Sequence, residues 1–211
     1  MNTCNVMDAA AFKALPQSEK AILVAKDCLQ QIRLKRYRIR SGQYASRLKV
    51  SKIDPDVTLD QISTSSKLGI QVIHESNCAV CAKGSLFLSA VTKSNRMSLE
   101  ELQDIVSFED SDAMADKVCR VDKIFSQSDF DLIECAFETE SHFGETVNNW
   151  KKCDQAVTFG QAHRADDMRM GAICLNIIAN NGKFVPTENI PSEGQVRRAI
   201  TLRIRKPKAR K

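Results

Sequence analysis

The sequence predicts an α+β fold, a single and predominantly helical domain with a few short strands. Three observations lead there. Apolar residues recur at helical spacing behind good capping residues in several stretches, whereas apolar-charged alternation is confined to two basic segments. The 211 residues are 43% hydrophobic but only 6% aromatic, enough for one core built mainly from Ile, Leu, Val, Ala, Met and Phe. The expected organisation is a domain over 1–185, a linker over 186–195, and a basic strand and tail over 196–211.

The first predicted helix begins at Ser18, with Pro16 outside it and Ile22, Ala25, Leu29 and Ile32 on one face, and ends near Arg36. Tyr37/Ile39 and Leu48/Val50 then alternate around Ser41-Gly42, which reads as a basic β-hairpin near 37–50. Residues 54–67 read as a loop and Gly69–His74 as another short strand. A helix is expected from Cys78 to about Lys93, with Val80, Phe87, Leu88 and Val91 inward. Ser98 with Glu101 three residues on is a capping box that opens a short acidic helix through Val106, followed by a second short helix over 111–121. Ser126 to Asp129 opens a third helix, whose Phe130, Ile133 and Phe137 form the apolar stripe while Glu134 and Glu138 lie on a solvated face. Residues 139–152 are polar and loop-like. Helix returns over 166–179, with Met170, Ile173, Ile177 and Ile178 inward and Asn180-Asn181-Gly182 as its stop. Alternation over 196–204 predicts a C-terminal strand.

Charge is distributed unevenly. Residues 33–52 hold eight basic side chains and no acidic one, and residues 197–211 hold eight more. Between Glu100 and Glu145, fourteen acidic residues face three basic ones, a local balance of −11 in a chain of net charge +5. Basic segments of this kind suit phosphates, because each neutralised phosphate releases condensed counterions. Tyr37 and Tyr44, interleaved with arginines at 36, 38, 40 and 47, add a stacking surface for single strands. The candidate nucleic-acid-binding residues are Arg36, Arg38, Arg40, Tyr44, Arg47, Lys49, Arg203, Arg205, Lys206 and Lys208. The acidic residues Glu100, Glu101, Asp104, Glu109, Asp110 and Asp112 are candidates for meeting a basic protein partner. The competing reading pairs these charges within the fold, where exposed ion pairs contribute about 0–1 kcal/mol each.

Other classes are excluded or left as minor alternatives. No apolar run approaches the roughly 18–20 residues of a membrane-spanning helix. Met1-Asn-Thr-Cys lacks the basic and apolar regions of a secretory signal, so a cytoplasmic protein is expected and the eight cysteines read as thiols. Cys78-Ala-Val-Cys81 with His74 is the one compact metal-like motif. It lacks the second ligand pair of a zinc knuckle, and buried core thiols compete with zinc and redox readings. His163 to Arg169 gathers a base, two carboxylates and two guanidiniums, which also suits an N-capped first helical turn. Walker, dinucleotide-binding, zinc-protease and hydrolase nucleophile motifs do not occur.

Four segments together carry a family resemblance: Val24–Gln31, Asn77–Ser89, Phe125–Glu138 and Asn176–Pro186. They resemble uncharacterised accessory proteins of phages and prophages, across residues 20–186. The resemblance implies a small non-structural protein acting on host or phage machinery, with host-defence antagonism among its roles. It transfers no activity to any residue. The expectation is therefore a non-enzymatic phage-type protein, without a cofactor, that binds and inhibits or modulates a host nucleic-acid-handling or defence complex in the manner of an anti-CRISPR protein. One alternative is a nucleic-acid-binding regulator using the 33–52 and 197–211 segments. A second is a small zinc or redox protein working through Cys78 and Cys81.

Overall fold

The computed structural model describes residues 8–36, 38–42, 56–64, 66–75, 79–94, 97–107, 124–140 and 150–201. Among them are nine α-helices and two short strands, a predominantly helical α+β architecture. Asp8 caps α1 (Ala9–Ala14), and Pro16 stands immediately before α2 (Gln17–Arg33), so Ser18 lies inside the helix instead of capping it. A proline there gives up an amide that the first turn does not use. Val24, Ala25 and Cys28, each fully buried, form the inward face of α2, whose Glu19, Lys26 and Arg33 are exposed.

Strand β1 (Arg38–Ile39) follows, and beyond a 3₁₀ turn at Leu59–Gln61 comes α3 (Lys67–Glu75). The predicted strand over 69–74 is thus a helix: Gly69, Val72 and Ile73 are buried at spacings of three and four, and Ser66 accepts the Gly69 amide at its start. Strand β2 (Ala79–Val80) precedes α4 (Ala82–Ser94), which starts four residues later than expected. β1 and β2 pair in parallel, Arg38 with Ala79 and Ile39 with Val80. The first arm of the predicted hairpin therefore finds its partner about forty residues away, and the arm containing Leu48 and Val50 lies outside the described residues. Helix α4 is enclosed on nearly every side: all its residues but Lys93 are buried, Lys83, Ser85, Ser89, Thr92 and Ser94 among them.

Helix α5 (Leu99–Ser107) carries the expected capping box, with the Ser98 amide donating to Glu101 at 2.9 Å and the Glu101 amide to Ser98 at 3.1 Å. The helix expected over 111–121 lies outside the described residues. Helix α6 (Gln127–Glu138) opens on Ser126 and Asp129 as predicted. It packs closely along α7 (Trp150–Gln161), so the stretch read as loop becomes helical at Trp150. A Cβ on Gly160 of α7 would lie 1.8 Å from the Ala136 carbonyl oxygen, which shows how close the two helices come.

Helix α8 (Asp166–Ala179) ends where the Asn-Asn-Gly stop placed it, with Asn181 at φ +52° and the Gly182 amide donating to the Ile177 carbonyl. The following segment, read as a linker, is pinned to α8. Asn176 donates to the carbonyls of Val185 and Glu188 and accepts the Val185 amide at 2.8 Å. Residues 193–200 then form α9 (Glu193–Ile200), a helix and not the predicted strand. Val196 and Ile200, one turn apart, sit against Gly171, whose missing side chain admits them.

Five cysteines, Cys28, Cys81, Cys135, Cys153 and Cys174, are buried free thiols. Each fully buried large apolar side chain contributes about 1.5–3 kcal/mol, and Phe87, Phe130, Phe137, Leu86 and Ile73 are among those enclosed completely. Among the described residues no helix is long and apolar enough to cross a membrane.

Candidate nucleic-acid interface

Helix α2 ends in a tight reversal that creates the basic corner. The Arg36 amide donates to the Gln31 carbonyl and the Lys35 amide to the Ile32 carbonyl, a Schellman pair of bonds around Lys35 at φ +55°. A non-glycine residue in this left-handed region costs about 1 kcal/mol, and Lys35 is exposed there. β1 then buries Ile39 and leaves Arg38 and Arg40 exposed on either side of it, the alternation of a strand. The Arg40 amide donates to Val80, which extends the pairing with β2.

The chain is next clamped by two carboxylates from different helices. The Ser41 amide donates to Asp166 Oδ2 at 3.1 Å, and the Gly42 amide donates to both oxygens of Glu138, at 3.0 and 3.2 Å. Asp166 is also paired with Arg169, whose guanidinium lies over the Phe137 ring. These contacts fix β1 against the start of α8. Between them opens a cavity of about 600 Å³ lined by Ile32, Lys35, Arg38, Ile39, Arg40, Asp166 and Asp167.

Helices α2 and α8 run antiparallel, since Gly182 beyond α8 touches Ser18 at the start of α2 while Ile32 and Asp166 share the cavity at the other end. Helix α9 crosses α8 at Gly171, five residues or about 7.5 Å of helix rise from Asp166. The second basic segment therefore begins about one and a half turns along α8 from the first, on a different face of that helix. Arg197 and Arg198 of α9 are exposed, Arg197 in a pair with Glu193.

Of the sequence-predicted nucleic-acid contacts, the structure brings Arg38 and Arg40 together and separates Arg36 from them. Arg36 is half-buried and turned toward α3, with Nη1 3.5 Å from His74 Nε2 and 3.4 Å from Gln31 Oε1. Tyr44, Arg47, Lys49, Arg203, Arg205, Lys206 and Lys208 lie outside the described residues. So do Glu109, Asp110 and Asp112, whereas Glu100, Glu101 and Asp104 are exposed on α5 opposite its buried Leu99 and Leu102.

His74 and Cys81 are each satisfied locally. Burial, then the Arg36 charge, lowers the His74 pKa to about 4, leaving a neutral ring whose Nε2 faces the guanidinium. Burial pushes the Cys81 thiol up to about 12, against the bond it accepts from the Gly84 amide. Cys78 lies outside the described residues, among which no group of three or more His, Cys, Asp or Glu is placed to hold a metal ion. Asp166 and Asp167 were legible as a charged first helical turn. Their place beside β1, and that of Lys35, is a product of the tertiary fold.

One expectation is overturned inside the core. Glu134, expected on a solvated face, is only 5% exposed and pairs with Lys83 of α4, itself 4% exposed. Burial raises the Glu134 carboxyl pKa, with the Lys83 ammonium opposing and Glu138 and Asp131 adding to the rise. A parallel link joins Lys93 of α4 to Asp27 of α2 at 3.2 Å.

These features define a helical α+β domain with a basic corner over a mixed-charge cavity. No family model, curated protein or solved structure matches the chain.

Proposed function

We propose that this chain is a non-enzymatic, phage-type binding protein that inhibits or modulates a host nucleic-acid-handling or defence complex by contacting nucleic-acid phosphates within it. The observation that carries the reading is the corner where Lys35, Arg38 and Arg40 stand exposed around one cavity, without ionic partners among the described residues. Helix α9 carries two further exposed arginines, Arg197 and Arg198. Phosphate contacts made by such side chains are sequence-independent and salt-sensitive. The outward acidic face of α5, with Glu100, Glu101 and Asp104, supports a second contact, to a basic protein groove in the same assembly.

The test is affinity purification of the tagged chain from bacterial lysate, split into nuclease-treated and untreated halves and read by mass spectrometry. A discrete complex of nucleic-acid-handling proteins that survives nuclease and is lost from a Lys35→Glu/Arg38→Glu/Arg40→Glu variant supports the proposal. Recovery that disappears entirely with nuclease replaces it with the simpler reading, a nucleic-acid-binding regulator. Recovery unchanged by the triple variant removes the basic corner from both.

A further inference from the structure

We infer that the cavity between α2, β1 and α8 is a binding site for a nucleoside monophosphate unit, either free or as the phosphorylated end of a strand. The inference deepens the proposed phosphate-binding role and rests on it. Lys35, Arg38 and Arg40 line one cavity and have no ionic partner among the described residues. Of the two carboxylates beside them, Asp166 is already committed to Arg169 and to the Ser41 amide. Asp167 accepts only the amide of its own neighbour Met168 among the described residues. Three cations against one unpaired carboxylate leave a surplus of two positive charges. A phosphomonoester carries about −1.5 to −2 at neutral pH, whereas an internal phosphodiester carries one negative charge. The cavity therefore matches a terminal phosphate better than the interior of a strand.

About 600 Å³ falls in the range of pockets that enclose small ligands, roughly 300–1,000 Å³, and far exceeds what a bare phosphate fills. Ile32 and Ile39 add a small apolar contact to a lining that is otherwise charged, a contact that an inorganic anion does not use and a sugar or base edge does. Asp167 is an acceptor for the N–H or O–H groups such a ligand carries. The site is also preorganised. The Schellman turn fixes Lys35, pairing with β2 fixes Arg38 and Arg40, and the clamp from Ser41 to Asp166 ties β1 to α8. Binding there orders the three exposed side chains but not the backbone that carries them.

The test compares a labelled single-stranded oligonucleotide bearing a 5′-phosphate with the same strand bearing a 5′-hydroxyl, by fluorescence anisotropy with the full chain. Adenosine monophosphate, adenosine and inorganic phosphate serve as competitors. The phosphorylated strand is expected to bind about tenfold more tightly, and adenosine monophosphate to compete where adenosine and phosphate do not. Monophosphate binding as strong as that of the strand end assigns the site to free nucleotides; a much tighter strand end assigns it to termini. Arg38→Glu/Arg40→Glu abolishes the preference, and Arg197→Glu/Arg198→Glu weakens both strands alike and leaves the ratio intact. All four arginines are exposed, so folding is not at stake, and Lys35→Ala gives an independent reading. Phosphorylation that changes affinity less than about twofold, with no competition by the monophosphate, overturns the inference while strand binding by the hydroxyl probe keeps the broader proposal standing. Monophosphate binding with no strand binding does the reverse.

Discussion

Replacing Lys83 by methionine isolates a buried carboxylate, and the consequence can be worked out from the structure. Lys83 of α4 and Glu134 of α6 pair where both side chains are almost entirely enclosed. Removing one partner of such a pair costs about 3–5 kcal/mol, because the remaining charge stays buried without compensation. That is a large part of the 5–15 kcal/mol by which domains are stable. The loss should depend on pH in a defined direction. The Glu134 carboxyl is already raised above its ordinary 4.5, by burial first, and in Lys83→Met the opposing ammonium is gone while Asp131 and Glu138 remain nearby. Between the unfolded and the raised folded pKa the folded state holds the proton and the unfolded chain has released it. Stability therefore falls as pH rises through that interval, by about 1.4 kcal/mol per unit, and is recovered as pH falls toward 4.5. Urea denaturation followed by circular dichroism at pH 5, 6, 7 and 8 reads this from the midpoints at constant m. Lys83→Met/Glu134→Leu removes both charges and should restore most of the loss. A single variant that loses less than about 1 kcal/mol, equally at every pH, refutes the buried pair.

Two other outcomes are expected. His74 carries a pKa of about 4 in the folded state against an ordinary 6.5, so its neutral form stabilises the fold above pH 6.5 and that contribution is lost as pH falls toward 4. Partial exposure limits the loss to about 1–2 kcal/mol, and His74→Gln should remove that component from the difference between the two stability profiles. Gly160→Ala forces a methyl group onto the Ala136 carbonyl and should cost about 3 kcal/mol or more, whereas Gly171→Ala meets the branch methyls of Val196 and Ile200, which yield only as α9 shifts, and should cost about 2 kcal/mol. Thermal denaturation separates the two, with a Tm fall of about 10 °C expected for Gly160→Ala and a few degrees for Gly171→Ala.

What could be read from the sequence was governed by locality. The capping boxes at Ser98 and Ser126 and the stop at Asn180–Gly182 involve residues three to five apart, and they set α5, α6 and α8 where expected. The 196–204 stretch was misread because Val196 and Ile200 satisfy a two-residue and a four-residue period equally. The deciding signal was Ser192 with Gln195, a capping box that the structure forms in full. Residues 69–74 failed in the same way, since a run of Ile, Val and Ile fits a short strand until Gly69, Val72 and Ile73 are seen on one buried face. The basic block was visible from composition, but composition does not show that Arg36 turns to His74 or that Arg38 and Arg40 flank Ile39 over Asp166 and Asp167. Those facts depend on β1 pairing with a strand about forty residues away and on carboxylates from α6 and α8. The burial of Glu134 is of the same kind, because helical periodicity cannot reveal a lysine supplied by another helix.

The most direct test of the basic corner is the salt dependence of single-strand binding by the intact chain and by Lys35→Gln/Arg38→Gln/Arg40→Gln. Each phosphate contact on a single strand contributes about 0.7 to the slope of log affinity against log salt, so losing three should flatten it by about 2 and weaken binding most at low salt. Glu100→Gln/Asp104→Asn, on the acidic face of α5, should leave the slope unchanged. A triple variant with the slope and affinity of the parent would contradict the account.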